Sequence, residues 1–144
     1  MPKKSFLPIV RELVRCYQAF EAHSAQHIRS MGLTPPQFEI VATLGNTEGM
    51  SFKELGEKTL ITKGTLTGVV DRLEAKQLVG RSASPTDGRS QIVRLTAKGE
   101  EVFNAVFPTH LNHVARAFMD YSATDLKQAE TTLRQLRAAL EGLQ

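Results

Sequence analysis

At 144 residues, 41% hydrophobic and 23% charged, the chain has room for one domain with an ordinary core. It contains no apolar run near the ~20 residues of a bilayer span, and its opening, MPKKSFLPIVREL, meets Arg11 and Glu12 too soon for a secretory leader. The lone cysteine, Cys16, excludes an internal disulfide and fits a reducing cytoplasm.

The formal charge of +3 is unevenly spread: residues 51–98 hold nine Lys/Arg against five Asp/Glu, and the rest nine against ten. A basic middle suits a localised polyanion contact, with a chance imbalance of a solvated surface as the alternative. Residues 5–30 open the chain order with a helical seam of Phe6, Val10, Leu13, Tyr17 and Phe20, ended by Met31-Gly32-Leu33. Thr34-Pro35-Pro36-Gln37 then has the form of a capping box with proline at the first helical position, stapled by Leu33 and Phe38. That helix runs to about Leu44 and stops at Gly45-Asn46.

Met50 to Leu55 repeats the device, with Ser51 as cap, Glu54 closing a box, and Met50 and Leu55 as staple. Thr62 is placed to cap the next helix, ITKGTLTGVVDRLE, stapled by Ile61 and Leu66. Leu78–Ser84 and Ser90–Leu95 read as two short strands around a Pro85-Thr86-Asp87-Gly88 turn. Thr96 caps a long helix reaching Phe118, with Pro108 expected to kink it near Asn104. Tyr121-Ser122 opens the last helix, whose Leu126, Ala129, Leu133, Leu136, Leu140 and Leu143 form a second seam.

The helix at 62–75 has an unfavourable feature. Leu66, Val69, Val70 and Leu73 make a buried stripe, while the opposite face centres on Gly64 and Gly68. Each glycine costs roughly 1 kcal/mol relative to alanine in a helix interior. Residues 51–76 form a helix-turn-helix followed by a two-stranded wing. The second helix of such a unit lies in the DNA major groove. There glycines let the backbone approach, Thr65 and Thr67 offer a hydroxyl and a methyl, and Lys63 and Arg72 reach phosphate or guanine. Close packing of Gly64 and Gly68 against another protein helix is the competing use. Arg89 stands at the tip of the wing, as minor-groove insertion requires, or pairs with Asp87 on a solvated loop. Lys53, Lys63, Arg72, Lys76 and Arg94 are the expected phosphate contacts.

LTPPQF, SFKELGEKTLITKGTLTGVVDRLEAKQLVGR and DGRSQIVRLTAKGEE together resemble the MarR (multiple antibiotic resistance regulator) family over about residues 33–103. The resemblance implies a mainly α fold: a winged helix-turn-helix over 33–100, with dimerisation helices at 1–32 and 101–144. It implies a homodimer on double-stranded, palindromic operator DNA, read by Thr62, Lys63, Thr65, Thr67, Gly68 and Arg72, with Arg89 in the minor groove. Many members are repressors released by a small aromatic or carboxylate effector. The family architecture places such a pocket near His23, His27, Phe38, Phe103, Phe107 and His110. The two apolar seams agree with dimerisation, an intrachain bundle being the alternative.

Some members sense peroxide through a first-helix thiolate, but Cys16 stands one turn from Leu13 and Phe20 and is expected to pack. The pairs His23/His27 and His110/His113 lack a neighbouring cysteine or carboxylate in a recognisable metal motif, so neither metal nor cofactor is expected. No G-x-S-x-G, phosphate loop or H-E-x-x-H occurs, so nothing supports an enzyme. A winged helix serving protein interaction, without specific DNA binding, is the alternative function.

Overall fold

The computed structural model describes residues 5–143. Residues 1–4 of the opening stretch weighed above as a leader lie outside the described residues. The chain divides into two compact units, Met1–Leu111 and Asn112–Gln144.

In the first unit, α1 (Leu7–Ser30) ends at Met31, and Gly32 turns the chain at a φ of +86°. The α2 helix (Pro35–Leu44) has the expected box, with Thr34 Oγ1 accepting from Gln37 N–H and Gln37 Oε1 accepting from Thr34 N–H. It stops at Gly45, and the Phe103 ring occupies the space a side chain there would need. A two-residue strand, β1 (Met50–Ser51), leads into α3 (Phe52–Thr59). Leu60, left-handed at a φ of +61°, turns the chain into α4 (Lys63–Ala75). Strands β2 (Val79–Ala83) and β3 (Gln91–Leu95) then pair antiparallel, with Arg81 opposite Val93.

The wing sheet has three strands rather than the expected two, in the order β1-β3-β2. Met50 pairs with Val93 and Ser51 with Ile92, so residues expected only to start a helix also close a sheet edge. Gly49, at a φ of +104°, makes this possible: a side chain there would strike the Val93 carbonyl. Ser51 still caps α3 by accepting from Glu54 N–H, but the full capping box expected there does not form.

Ile40, Val41, Leu44, Leu55, Leu66, Val70, Leu73 and Val93 are the centre of the core, where α2, α3, α4 and the sheet meet. Burial of roughly 1.5–3 kcal/mol per large apolar side chain sets the angle between α3 and α4. Long α5 (Ala97–Ala115) begins from the Thr96 cap, whose Oγ1 accepts from Gly99 N–H. Pro108 lies inside α5 without ending it.

The second unit takes the last residues of α5, a 3-10 turn at Arg116–Phe118 and α6 (Ala123–Glu141). The helix expected to reach Phe118 thus ends at Ala115 and tightens first. Ser122 and Asp125 form a reciprocal capping box at the start of α6. No residue of α6 is buried, and Leu126, Leu133 and Leu140 are exposed.

Candidate nucleic-acid interface

The core stripe of α4 orients everything on its other side. With Leu66, Val69, Val70 and Leu73 buried, Lys63, Gly64, Thr65, Thr67 and Arg72 face outward. A side chain added at Gly64 would meet nothing within 4 Å, and one at Gly68 only the Arg72 Nη1 at 3.8 Å. Neither glycine therefore accommodates a packed neighbour among the described residues. The helix presents bare backbone flanked by two hydroxyls and two cations.

The start of α4 differs from those of α3 and α6. Thr62 occupies the cap position, but its hydroxyl makes no cap bond. It donates to Thr65 Oγ1 at 3.1 Å instead, because both threonines lie on the outer face. The first turn of α4 carries no acidic residue, whereas α3 has Glu54 and α6 has Asp125. The positive pole of its dipole thus faces outward without a side-chain anion, a favourable place for phosphate.

The wing tip is shaped by local hydrogen bonds. Ser84 Oγ accepts from the N–H groups of Thr86 and Asp87, and Asp87 Oδ1 accepts from Arg89 N–H at 3.0 Å. Asp87 therefore engages Arg89 through the backbone, no ion pair joins the two side chains among the described residues, and the guanidinium stands exposed. Lys53 at the start of α3, Arg81 and Arg89 line an open hollow together with Phe52 and Gly88.

Two expected phosphate contacts have partners inside the fold. Lys76 Nζ donates to Gln37 Oε1 at 3.1 Å and to the Gly32 carbonyl at 3.3 Å, tying the end of α4 to the start of α2. Arg94 donates to Ser82 Oγ at 3.0 Å across the β2–β3 ladder. Lys53 and Lys63 are exposed.

Arg81, which the sequence reading counted only as charge, joins three elements. From β2 it pairs with Asp71 and, at 3.6 Å, with Glu74, both on α4. Its guanidinium lies 5.5 Å from the ring centroid of Phe52, the first residue of α3. It thereby fastens the wing to α4 and balances the two carboxylates on that otherwise basic helix. The available signal was Asp71 and Glu74, three apart on one helix, followed by a cation in the next strand.

Behind this face, five of the six residues expected around an effector pocket make ring contacts within the first unit. Phe103 stacks on Phe107 at 5.0 Å between centroids, Phe107 lies 6.4 Å from Phe38, and Phe38 meets His110 edge-on at 4.7 Å. His27 Nδ1 is 2.9 Å from His110 Nδ1. His23 is exposed, one turn before His27. Cys16 is exposed rather than packed, because Leu13 and Phe20 on the same face are exposed too. Among the described residues, no group of three or more His, Cys, Asp or Glu could hold a metal ion, and no helix is long and apolar enough to cross a membrane.

A helix-turn-helix with an open second helix, followed by a wing bearing an exposed arginine, defines a winged-helix DNA-binding protein. The MarR family model matches residues 33–91. The HTH-type transcriptional regulator MhqR of Bacillus subtilis (strain 168) is 32% identical over 136 residues, covering 94% of this chain and 93% of its own. The chain belongs to the MarR family and is a DNA-binding transcriptional regulator. Among solved structures, AbsC, a MarR family regulator from Streptomyces coelicolor, superposes with a TM-score of 0.86 at 26% identity, covering 96% of each chain. A second Streptomyces coelicolor MarR regulator, solved in complex with DNA, gives a TM-score of 0.81 at 26% identity, covering 94% of this chain and 86% of its own. Bordetella bronchiseptica BpsR, whose DNA binding is regulated by 6-hydroxynicotinic acid, gives a TM-score of 0.80 at 25% identity, covering 92% and 95%.

Proposed function

We propose that this regulator is a homodimeric repressor that binds a palindromic operator and releases it when a small aromatic or carboxylate effector binds. The observation that carries the DNA reading is the outer face of α4, where Gly64 and Gly68 leave the backbone open between Lys63 and Arg72. In this reading Thr65, Thr67 and Arg72 meet base edges, Thr62, Lys63 and Gly68 let the helix start sit against the strand, and Arg89 enters the minor groove. Lys53, with Lys76 and Arg94 where their fold contacts allow, adds phosphate attraction.

Dimerisation is supported by the exposed row Phe6, Val10, Leu13, Tyr17 and Phe20 along α1. Two copies about a two-fold axis would place their α4 helices roughly 34–36 Å apart, one turn of DNA. Effector release is supported by the ring cluster of Phe38, Phe103, Phe107 and His110 and by the ligand named for BpsR. An effector acts only by preferring a helix spacing that does not fit the operator.

The test is a fluorescence-anisotropy titration at two salt concentrations. One labelled duplex comes from the region upstream of the protein's own gene, and the other is a shuffled duplex of equal composition. Tighter, strongly salt-dependent binding to the first duplex is expected. A folded protein that binds neither duplex would replace the DNA reading with a protein-interaction one.

A further inference from the structure

We propose that Lys76 is a positioning residue: it aims α4 at the operator from the far end of the helix, without itself touching DNA. This rests on the DNA reading above for its effect on binding, but not for the anchoring itself, and it takes Lys76 out of the phosphate contacts. The C-terminal end of α4 is where the ends of α1 and α4 meet the starts of α2 and α5. A helix leaves its last carbonyls without partners of its own, and here the start of α5 supplies donors. Lys98 Nζ donates to the Lys76 carbonyl at 3.1 Å, and Thr96 Oγ1 to the Gln77 carbonyl at 2.6 Å. Gln77 turns the chain in left-handed backbone, at a φ of +64°.

The Lys76 side chain reaches the other way. Its ammonium donates to the Gly32 carbonyl, just past the end of α1, and to Gln37 Oε1, in the first turn of α2. Both acceptors are themselves held. The Gly32 N–H donates to the Arg29 carbonyl within the turn. Gln37 is 4% exposed, and its Oε1 also accepts from Thr34 N–H in the capping box. Two of the three N–H groups of one ammonium are thus directed at the corner between α1 and α2. To reach a phosphate, Lys76 would have to release that corner.

Holding and reading are therefore separated along α4. The helix is roughly 20 Å long, with Lys63 and the open glycines toward its start and Lys76 just past its end. The Arg81 contacts join α4 to β2 and α3. Lys76 joins it instead to α1, which carries the exposed apolar row. α1 packs on α2 and α2 on α4. That packing brings the helices together but is non-directional, whereas hydrogen bonds fix the direction in which α4 points. A freed end lets the helix tilt. Tilt harms contacts with base edges, which need a fixed placement, far more than the phosphate attraction that holds any duplex.

The test is Lys76→Met, which keeps the stem and removes the ammonium, titrated by anisotropy on the upstream and shuffled duplexes over a range of salt. Affinity for the upstream duplex should fall by roughly three- to tenfold. Affinity for the shuffled duplex, and the slope of log Kd against log salt, should stay at wild-type values. In a Gln37→Leu background, where one acceptor is gone, Lys76→Met should cost less than it does alone. Parallel weakening on both duplexes with a slope lower by about one is the mark of a phosphate contact and overturns the proposal, as does wild-type affinity for both. Without DNA, the amides of residues 76–78, which donate to carbonyls in the last turn of α4, should exchange hydrogen faster in Lys76→Met. Unchanged exchange overturns the anchoring. Faster exchange, with neither protein preferring the upstream duplex, upholds the anchoring and removes the operator reading.

Discussion

Helices α1 and α4 both withhold a face from the core, and the two faces are opposite in chemistry. Along α1 the exposed residues are large and apolar, with Tyr17 at 61% and Phe20 at 51% exposure. Along the outer face of α4 they are glycine, threonine and cations, on a helix whose leucines and valines are all buried. Covering a large apolar side chain is worth roughly 1.5–3 kcal/mol when it was fully exposed, so the α1 face suits a protein surface. The α4 face has almost no apolar area to lose and is shaped for a polyanion. An exposed face identifies its partner by composition rather than by exposure.

The comparison breaks most completely if the α1 face does not matter for DNA. The double variant Leu13→Asp, Tyr17→Asp should give a folded monomer in sedimentation and lose roughly 10²- to 10⁴-fold in operator affinity, because two linked half-site contacts become one. A folded dimer with wild-type affinity would assign that face elsewhere. On α4, Gly64→Ala should separate stability from function. The melting temperature should rise slightly, since alanine is the better helix former and the site, in the first turn of α4, is open. Operator affinity should fall in the same protein, and a rise in both would leave the glycine without a DNA role.

Arg89 and Arg81 sharpen the comparison within the reading head. Arg89→Ala should weaken binding several-fold and reduce the salt slope, log Kd against log salt, by about one contact, leaving the dimer intact. Arg81→Ala should also weaken binding but leave that slope unchanged, because its guanidinium faces Asp71, Glu74 and Phe52. A reduced slope would mean that Arg81 touches phosphate itself. The smallest effect belongs to α6. A hydrogen bond and charge from Lys127, then the charge of Arg134, hold the Glu130 carboxyl below the usual carboxylate range. Its contribution is present above that range and lost as pH falls through the lowered value. Glu130→Gln should therefore lower the melting temperature slightly at pH 7, and by less as the pH is taken down through the carboxylate range.

Local signals made most of the fold legible. The Thr34 box, the Ser51 cap, the α4 stripe and the strand–turn–strand at 79–95 act within a few residues, and the structure reproduces them. The third wing strand escaped because two residues carry no periodicity, and Gly49 reads as an ordinary loop glycine until Val93 is placed beside it. Thr62 fits every rule for a cap, yet its hydroxyl has a second acceptor one turn on at Thr65. The outward face of α4 was legible because it depends on one helix alone. The contacts of Lys76 and Arg81 were not legible, because their partners lie 39 residues away for Gln37 and on α4 for Asp71 and Glu74. Cys16 was misplaced because a helical seam shows that residues share a face, without saying whether this chain covers it.

The fastening of β2 to α4 by Arg81 has a consequence for how such a regulator changes its mind. With the wing and α4 tied to each other and to α3, the parts proposed to meet DNA cannot adjust one at a time. They behave like the fixed jaw of a caliper, and a signal arriving from elsewhere in the molecule can only move the jaw as a whole.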